Sequence, residues 1–205
     1  MRKRKTGYIL LVLLVITGLA GTISSSVSKK ERKAAISLMK KTKADAIGSL
    51  KGLSETQLNF KASPETWSAK ECMYHIAISE SNLWKWFEAV MKEPVNPEKR
   101  SEIKVTDEQV IKMIEDRSFK AKAQKEALPE NTPYKSLDDA ISAFKTRRDA
   151  SIKYMKSTTE DLRSHVIQTP LGWIDGYQLY LFIGAHSNRH TQQINEVKAN
   201  AAFPK

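Results

Sequence analysis

LYLFIGAHSNRHTQQINEV, residues Leu179–Val197, is the most informative stretch of the chain for its architecture. It has no proline and a single glycine, and its apolar residues recur at the spacing of an amphipathic helix. Two imidazoles interrupt the predicted inner stripe, which comprises Leu179, Ile183, His186, His190, Ile194 and Val197. Residues four apart on a helix face the same way, with about 5–6 Å between Cβ atoms. His186 and His190 could therefore share one metal ion, although two hydrogen-bonded core histidines would give the same pattern.

His75 is the natural third ligand for such an ion. It lies near the start of a second predicted helix, where Ser68 and Glu71 have the spacing of a capping box. Three imidazoles leave at least one coordination position for water or substrate, as catalytic sites do. An ion held in this way lowers the pKa of bound water toward ~7. The remaining histidine, His165, falls in a predicted loop and has no evident partner.

Hydrophobic periodicity predicts four long helices. They cover residues 30–50, 68–91 and 136–156 and a last stretch that begins near Asp175 or Gly176. Residues 94–135, between the second and third long helices, form a long and partly helical connection. No convincing β-hairpin is found, and residues 162–176 are predicted to be a loop. The predicted fold class is therefore all-α, with a four-helix bundle.

The N-terminus has the layout of a targeting segment. Arg2–Lys5 is a basic run, residues 8–20 are apolar, and small residues precede Gly21. The apolar run is shorter than the ~20 residues of a usual membrane-spanning helix, so both a cleaved signal peptide and an uncleaved membrane anchor remain open. We expect residues 1–26 to be this segment with its spacer and residues 27–205 to be an exported domain. That domain would be periplasmic, extracellular or held at the outer face of the membrane through an uncleaved N-terminal anchor.

The charge and the cysteine content limit which classes of function are expected for this protein. The net charge is +11, but Arg2–Lys5 holds four of the basic residues and the others are spread over predicted helices. No nucleic-acid partner is expected, because the charge comes without a recognised binding module or interleaved aromatic residues. Cys72 is the only cysteine, so no intramolecular disulfide can form. Its thiol is interpreted as a small core group, or else as one lining the site beside His75.

Two segments carry a resemblance to a known family. WSAKECMYHIAISE, residues Trp67–Glu80, contains a W-S-x-x-E…H pattern, and GAHSNRHTQQINEVK, residues Gly184–Lys198, contains H-x-x-R-H-x-x-Q-I. Both patterns resemble those of the DinB-like (DinB/YfiT) superfamily of four-helix bundles, over about residues 30–199. The resemblance implies that His75, His186 and His190 bind a divalent metal such as Zn, Ni or Mn. It also makes a homodimer plausible.

The resemblance implies several activities. The family suggests a metal-dependent hydrolase or transferase acting on a small molecule that the sequence does not identify. A thiol S-transferase is a further alternative, but the export segment weighs against it because thiol cofactors are scarce outside the cytoplasm. The alternative from another class is a bundle that binds a metal or ligand without catalysis. Catalytic residues stay unassigned, because the residues between the two histidines, Ser187, Asn188 and Arg189, include no base.

Four other side chains are candidates for the surroundings of the metal. Glu71 is expected to cap its helix, or to orient the ring of His75 from one turn away. Asn82 lies about two turns beyond His75 and could reach a pocket. Arg148 is expected to extend to the rim of the bundle, with a positively charged pocket wall as the alternative. Arg189 is expected to make surface or interhelix contacts.

Overall fold

The computed structural model describes residues 27–119 and 122–205, so the predicted targeting segment lies outside the described residues. In chain order, the helices are α1 (Lys29–Leu50), α2 (Glu55–Asn59), α3 (Ala69–Lys92), α4 (Asp107–Glu115), α5 (Leu137–Ser157) and α6 (Gly176–Lys198). Short 3-10 segments occur at Pro97–Glu102, Lys125–Ala127, Pro129–Asn131 and Leu162–Ser164. Within the described ranges, none of the helices is both long enough and apolar enough to cross a membrane.

Each long helix begins at a side chain that caps its first turn. Ser28, Ser68, Ser136 and Asp175 each accept a hydrogen bond from the backbone amide three residues later. In α3, Ser68 Oγ accepts from the Glu71 amide at 3.2 Å, and the Glu71 carboxylate accepts from the Ser68 amide at 2.8 Å. The predicted capping box is thus confirmed. Because such caps satisfy amides that a helix leaves unpaired, the sequence places the helix starts to within a residue or two.

The four long helices form the predicted bundle. Helices α1 and α3 each contact both α5 and α6, so the order around the bundle is α1, α5, α3, α6. Helix α4 packs on the outside of α6. Gly184 permits the close approach of α6 to α1, because a Cβ there would lie only 3.0 Å from Met39 Sδ. Helix α6 is therefore held between α1, α3 and α4, and it is the most enclosed of the long helices.

A short β-hairpin precedes α6, and the prediction of a plain loop over residues 162–176 was wrong. Strand β1 (Val166–Thr169) pairs antiparallel with β2 (Gly172–Asp175). Each strand has only four residues, and the turn lacks the Asn-Gly or Asp-Gly pair that makes hairpins recognisable in sequence. Gly172 adopts φ 95°, a left-handed conformation that glycine allows without strain. Asp175 ends the hairpin and caps α6, which fixes where α6 begins.

Arg163 ties the hairpin region to two helices. Its guanidinium contacts Asp175 at 2.9 Å, Asp107 at 2.7 Å and, closer still, Glu31. It also lies 4.2 Å from the ring centroid of Tyr177. Three carboxylates from α1, the start of α4 and the cap of α6 thus converge on one cation. This cluster holds the start of α6 against α1 and α4.

Arg148 lies in the centre of the bundle, and its predicted position at the rim was wrong. Its side chain is 0% exposed and forms a bidentate pair with Glu80, with Nε–Oε1 and Nη2–Oε2 distances of 2.6 and 2.7 Å. The guanidinium also donates to the Met39 carbonyl, Thr42 Oγ1 and Ser187 Oγ. One cation therefore links all four long helices. A buried arginine is tolerated here because a buried carboxylate pairs with it and further acceptors take its remaining hydrogens.

Candidate metal centre

Three of the four histidines come together where α3 faces α6. The ring centroids of His75 and His190 are 4.3 Å apart, those of His186 and His190 are 4.7 Å apart, and those of His75 and His186 are 5.3 Å apart. One nitrogen from each ring can be chosen so that all three lie within 4.8 Å of one another. His75 and His190 are buried, whereas His186 is partly exposed to solvent. The arrangement gives a set of three imidazoles, one of which belongs to a partly exposed residue.

Hydrogen bonds fix which nitrogen two of these rings present. His75 Nδ1 lies 2.7 Å from the Ala127 carbonyl, and His190 Nδ1 lies 3.0 Å from Gln193 Oε1. A carbonyl oxygen only accepts, so each Nδ1 carries the proton and each Nε2 keeps its lone pair. Metal-ligating histidines are held in the same way, with the second nitrogen donating to a carbonyl or carboxylate. The donor set therefore fits a divalent ion bound through Nε2 of His75 and His190.

The electrostatics of the cluster favour neutral rings. Burial lowers the pKa of His75, and desolvation of the ring together with the neighbouring cationic groups lowers the pKa of His186. Burial and the other two histidines lower the pKa of His190 well below its usual value. All three rings are therefore neutral at neutral pH, each with one unprotonated nitrogen, and the neutral ring is the form that binds metal ions.

Aromatic side chains pack against the three imidazole rings. The indole of Trp67 lies 4.8 Å from the His75 ring and 5.9 Å from the His190 ring. The ring of Phe182 stacks on His186 at 6.2 Å with an interplanar angle of 6°. These contacts restrict rotation of the imidazoles, so the site is largely formed before a ligand arrives.

Gln193 was missed as an orienting group, although it lies on the same face of α6 three residues after His190. Replacing Gln193 with alanine removes the acceptor of the His190 Nδ1 proton. We expect divalent metal affinity to fall by roughly 10- to 100-fold, the usual effect of losing such a hydrogen bond. Isothermal titration with Zn²⁺ or Co²⁺ measures this. Gln192→Ala is the matched control, because Gln192 donates to the Glu115 carbonyl instead. Equal affinities in the two variants would contradict the role of Gln193.

The other predicted neighbours of the metal lie elsewhere. The Glu71 carboxylate caps α3 and pairs with Lys61 at 3.2 Å, while the orienting partner of His75 is a backbone carbonyl. Asn82 is exposed on α3. Arg189 is buried and donates to the carbonyls of Ile114, Asp116 and Phe119, so it holds the end of α4 and the chain that follows against α6. Arg148 belongs to the buried ion pair.

Cys72 and His165 stay outside the cluster. Burial raises the pKa of the Cys72 thiol to about 12, so it is an unreactive core group at neutral pH. His165 is buried at the end of a 3-10 segment, and its Nδ1 has no hydrogen-bond partner among the described residues. Neither side chain takes part in the arrangement of three imidazoles.

Comparison with known proteins assigns the chain to a family. A family model described as the DinB superfamily matches residues 38–194, which includes all three histidines. The chain belongs to the DinB superfamily. A curated relative, "Uncharacterized protein YuaE" of Bacillus subtilis (strain 168), is 28% identical over 176 residues, covering 80% of this chain and 96% of the relative.

A solved structure shares the DinB fold. It is that of YfiT from Bacillus subtilis, described as "a probable metal-dependent hydrolase with an unusual four-helix bundle topology". The two structures align with a TM-score of 0.58 at 15% sequence identity, over 87% of this chain and 92% of YfiT. At this identity the alignment supports the four-helix bundle of the present DinB protein.

Proposed function

We propose that this DinB protein is an exported metal-dependent hydrolase whose divalent ion is held by His75, His186 and His190. The observation that carries the proposal is the convergence of three neutral imidazoles, two of which are fixed with the proton on Nδ1 and an unprotonated Nε2. The description of YfiT as a probable metal-dependent hydrolase supports the reaction class. A divalent ion in such a site supplies a Lewis acid and an acidified water.

The protein's own residues supply binding and orientation. Ala127 and Gln193 hold two of the rings, and Trp67 with Phe182 restricts their movement. His186 is the partly exposed member, so a small molecule would approach from its side. The two carboxylates nearest to His75 in sequence are not available as bases, because that of Glu71 caps a helix and that of Glu80 pairs with Arg148. Hydrolysis here would depend on the ion for activation of water.

The convergence of the three imidazoles also favours a second candidate, a DinB bundle that binds a metal or small ligand without turnover. Metalloproteases of the H-E-x-x-H type place a glutamate beside their zinc as general base. Here Ser187, Asn188 and Arg189 separate the two histidines of α6, and Ser187 and Arg189 are engaged in structural hydrogen bonds. Binding without catalysis would use the same three rings.

A hydrolysis screen separates the two candidates. The full chain, loaded in turn with Zn²⁺, Mn²⁺ or Ni²⁺, is assayed against ester, amide and phosphoester substrates. We expect turnover of one substrate class. This turnover should be lost when a chelator is added and in the His186→Ala/His190→Ala variant. A parallel assay with a low-molecular-weight thiol and an electrophile tests thiol transfer.

The outcomes are distinct. Chelator-sensitive transfer of the thiol without hydrolysis would replace the hydrolase with a transferase. A protein that binds metal but is silent in both assays would favour the binding module. For the exported location, cell fractionation should find the domain in the medium, in the periplasm or on the outer face of the cytoplasmic membrane, where protease added to spheroplasts digests it. Recovery of the domain in the cytoplasmic fraction, with protection from protease in spheroplasts and digestion after lysis, would contradict export.

A further inference from the structure

Ser79 lies one turn after His75 on α3, on the same side of the helix as the imidazole. Its side chain is 5% exposed, and its Oγ lies 3.2 Å from His75 Nε2. Because His75 Nδ1 carries the proton, Nε2 is an acceptor and the Ser79 hydroxyl is the donor. The hydroxyl therefore occupies the lone pair that a metal ion would use.

Metal binding cannot leave this hydrogen bond in place. A divalent ion on an imidazole lies about 2.0–2.1 Å from the nitrogen and takes its only lone pair. The Ser79 hydroxyl would then have to rotate to another acceptor, because a buried hydroxyl without a partner is unfavourable. Whatever fills the coordination position that three histidines leave open is such an acceptor.

Neighbouring hydroxyls on α6 are already committed. Ser187 Oγ donates to the Gly184 carbonyl and accepts from Arg148, and Thr191 Oγ1 donates to the Ser187 carbonyl. Among the described residues, Ser79 alone has a side-chain hydroxyl bonded to a ring of the cluster. Of these hydroxyls, that of Ser79 is therefore best placed to form a hydrogen bond with a ligand of the ion.

We propose that Ser79 is a positioning residue whose hydroxyl passes from His75 Nε2 to the exchangeable ligand in the open position. This inference rests on the proposed metal site. It assigns Ser79 a role in holding water or an anionic group of the substrate, and no role in holding the ion itself. Ser79 thereby helps to determine which ligands bind at the open coordination position of the ion.

The test uses the full chain loaded with Co²⁺, whose visible spectrum reports the exchangeable ligand, and azide as the anionic probe. In Ser79→Ala we expect Co²⁺ to bind no more weakly than in the wild type and azide affinity to fall by roughly 10- to 150-fold, as expected for loss of a hydrogen bond to a charged group. Ser79→Thr keeps a hydroxyl and should retain most of the azide affinity. Ser49→Ala is the matched control, because Ser49 is a buried helical serine that donates only to the Ala46 carbonyl.

Two results would overturn the inference while leaving the metal site intact. One is an azide affinity in Ser79→Ala equal to that of the wild type and of Ser49→Ala. The other is a loss of Co²⁺ affinity of about tenfold or more in Ser79→Ala, the effect expected of a side chain that orients a ligand ring, which would show that Ser79 helps to hold the ion and not its exchangeable ligand. Failure of the wild type to bind Co²⁺ would instead overturn the metal site and this inference together.

Discussion

Replacing His186 and His190 with alanine is expected to abolish the stabilisation of this protein by divalent metal ions. A ligand that binds only the folded state, at a hundred times its dissociation constant, stabilises that state by about 2.7 kcal/mol. For a domain of this size, that free energy raises Tm by roughly 5–11 °C. The double variant keeps only His75 of the three imidazoles, so its Tm should not respond to Zn²⁺ or Co²⁺. Thermal unfolding with and without each ion measures the effect.

His165→Ala is the control for this experiment. His165 is buried like two members of the cluster but lies outside it, so the metal-dependent rise in Tm should be unchanged. A rise that persists in His186→Ala/His190→Ala would show that the ion binds elsewhere. Loss of the rise in His165→Ala would mean that folding, and not ligation, controls the response.

Glu80→Ala should destabilise the bundle strongly, whether or not a metal is bound. It removes the carboxylate that pairs with Arg148 and leaves a buried guanidinium without a counter-charge. Breaking a buried pair from one side costs about 3–5 kcal/mol. In a domain of this size, that corresponds to a fall in Tm of roughly 6–20 °C. Chemical denaturation of the full chain, followed by circular dichroism, measures the free energy of unfolding.

Two variants show whether the charge itself is responsible. Replacing both Glu80 and Arg148 with methionine removes the pair together and should recover much of the lost stability. Asp45→Ala breaks the exposed pair with Lys41 and should change the free energy of unfolding by less than about 1 kcal/mol. If Glu80→Ala costs no more than Asp45→Ala, the buried pair does not stabilise the fold as described.

Much of the bundle could be predicted from local sequence. Helix starts follow from short-range caps such as Ser68 with Glu71, and inner faces follow from periodicity, as in α6 where Leu179, Ile183 and Ile194 are all buried. The His186–His190 pair was visible for the same reason, because both rings lie on one helix face. His75 was predicted as the third ligand from its place on a second helix of a bundle, and the motif resemblance supported that prediction, since periodicity alone gives no distance between separate helices.

Features that depend on contacts between distant segments could not be predicted. The orienting partner of His75 is the backbone carbonyl of Ala127, which any residue type would supply. Arg148 is buried because Glu80, 68 positions away, faces it across the core. The hairpin before α6 is too short for its alternation to be recognised. For His75 and Arg148, the decisive partner lies in another element, where local periodicity gives no information.

Whether the three histidines hold a metal is decided by the metal content of the full chain, purified without a histidine tag and exchanged into metal-free buffer. Elemental analysis should find about one Zn, Ni or Mn ion per chain, as expected for a single site of this kind. The ion should be absent from the His186→Ala/His190→Ala variant and present in His165→Ala. A wild-type protein that carries no metal and takes up none from solution would contradict the proposed metal centre, as would a double variant with an equal content.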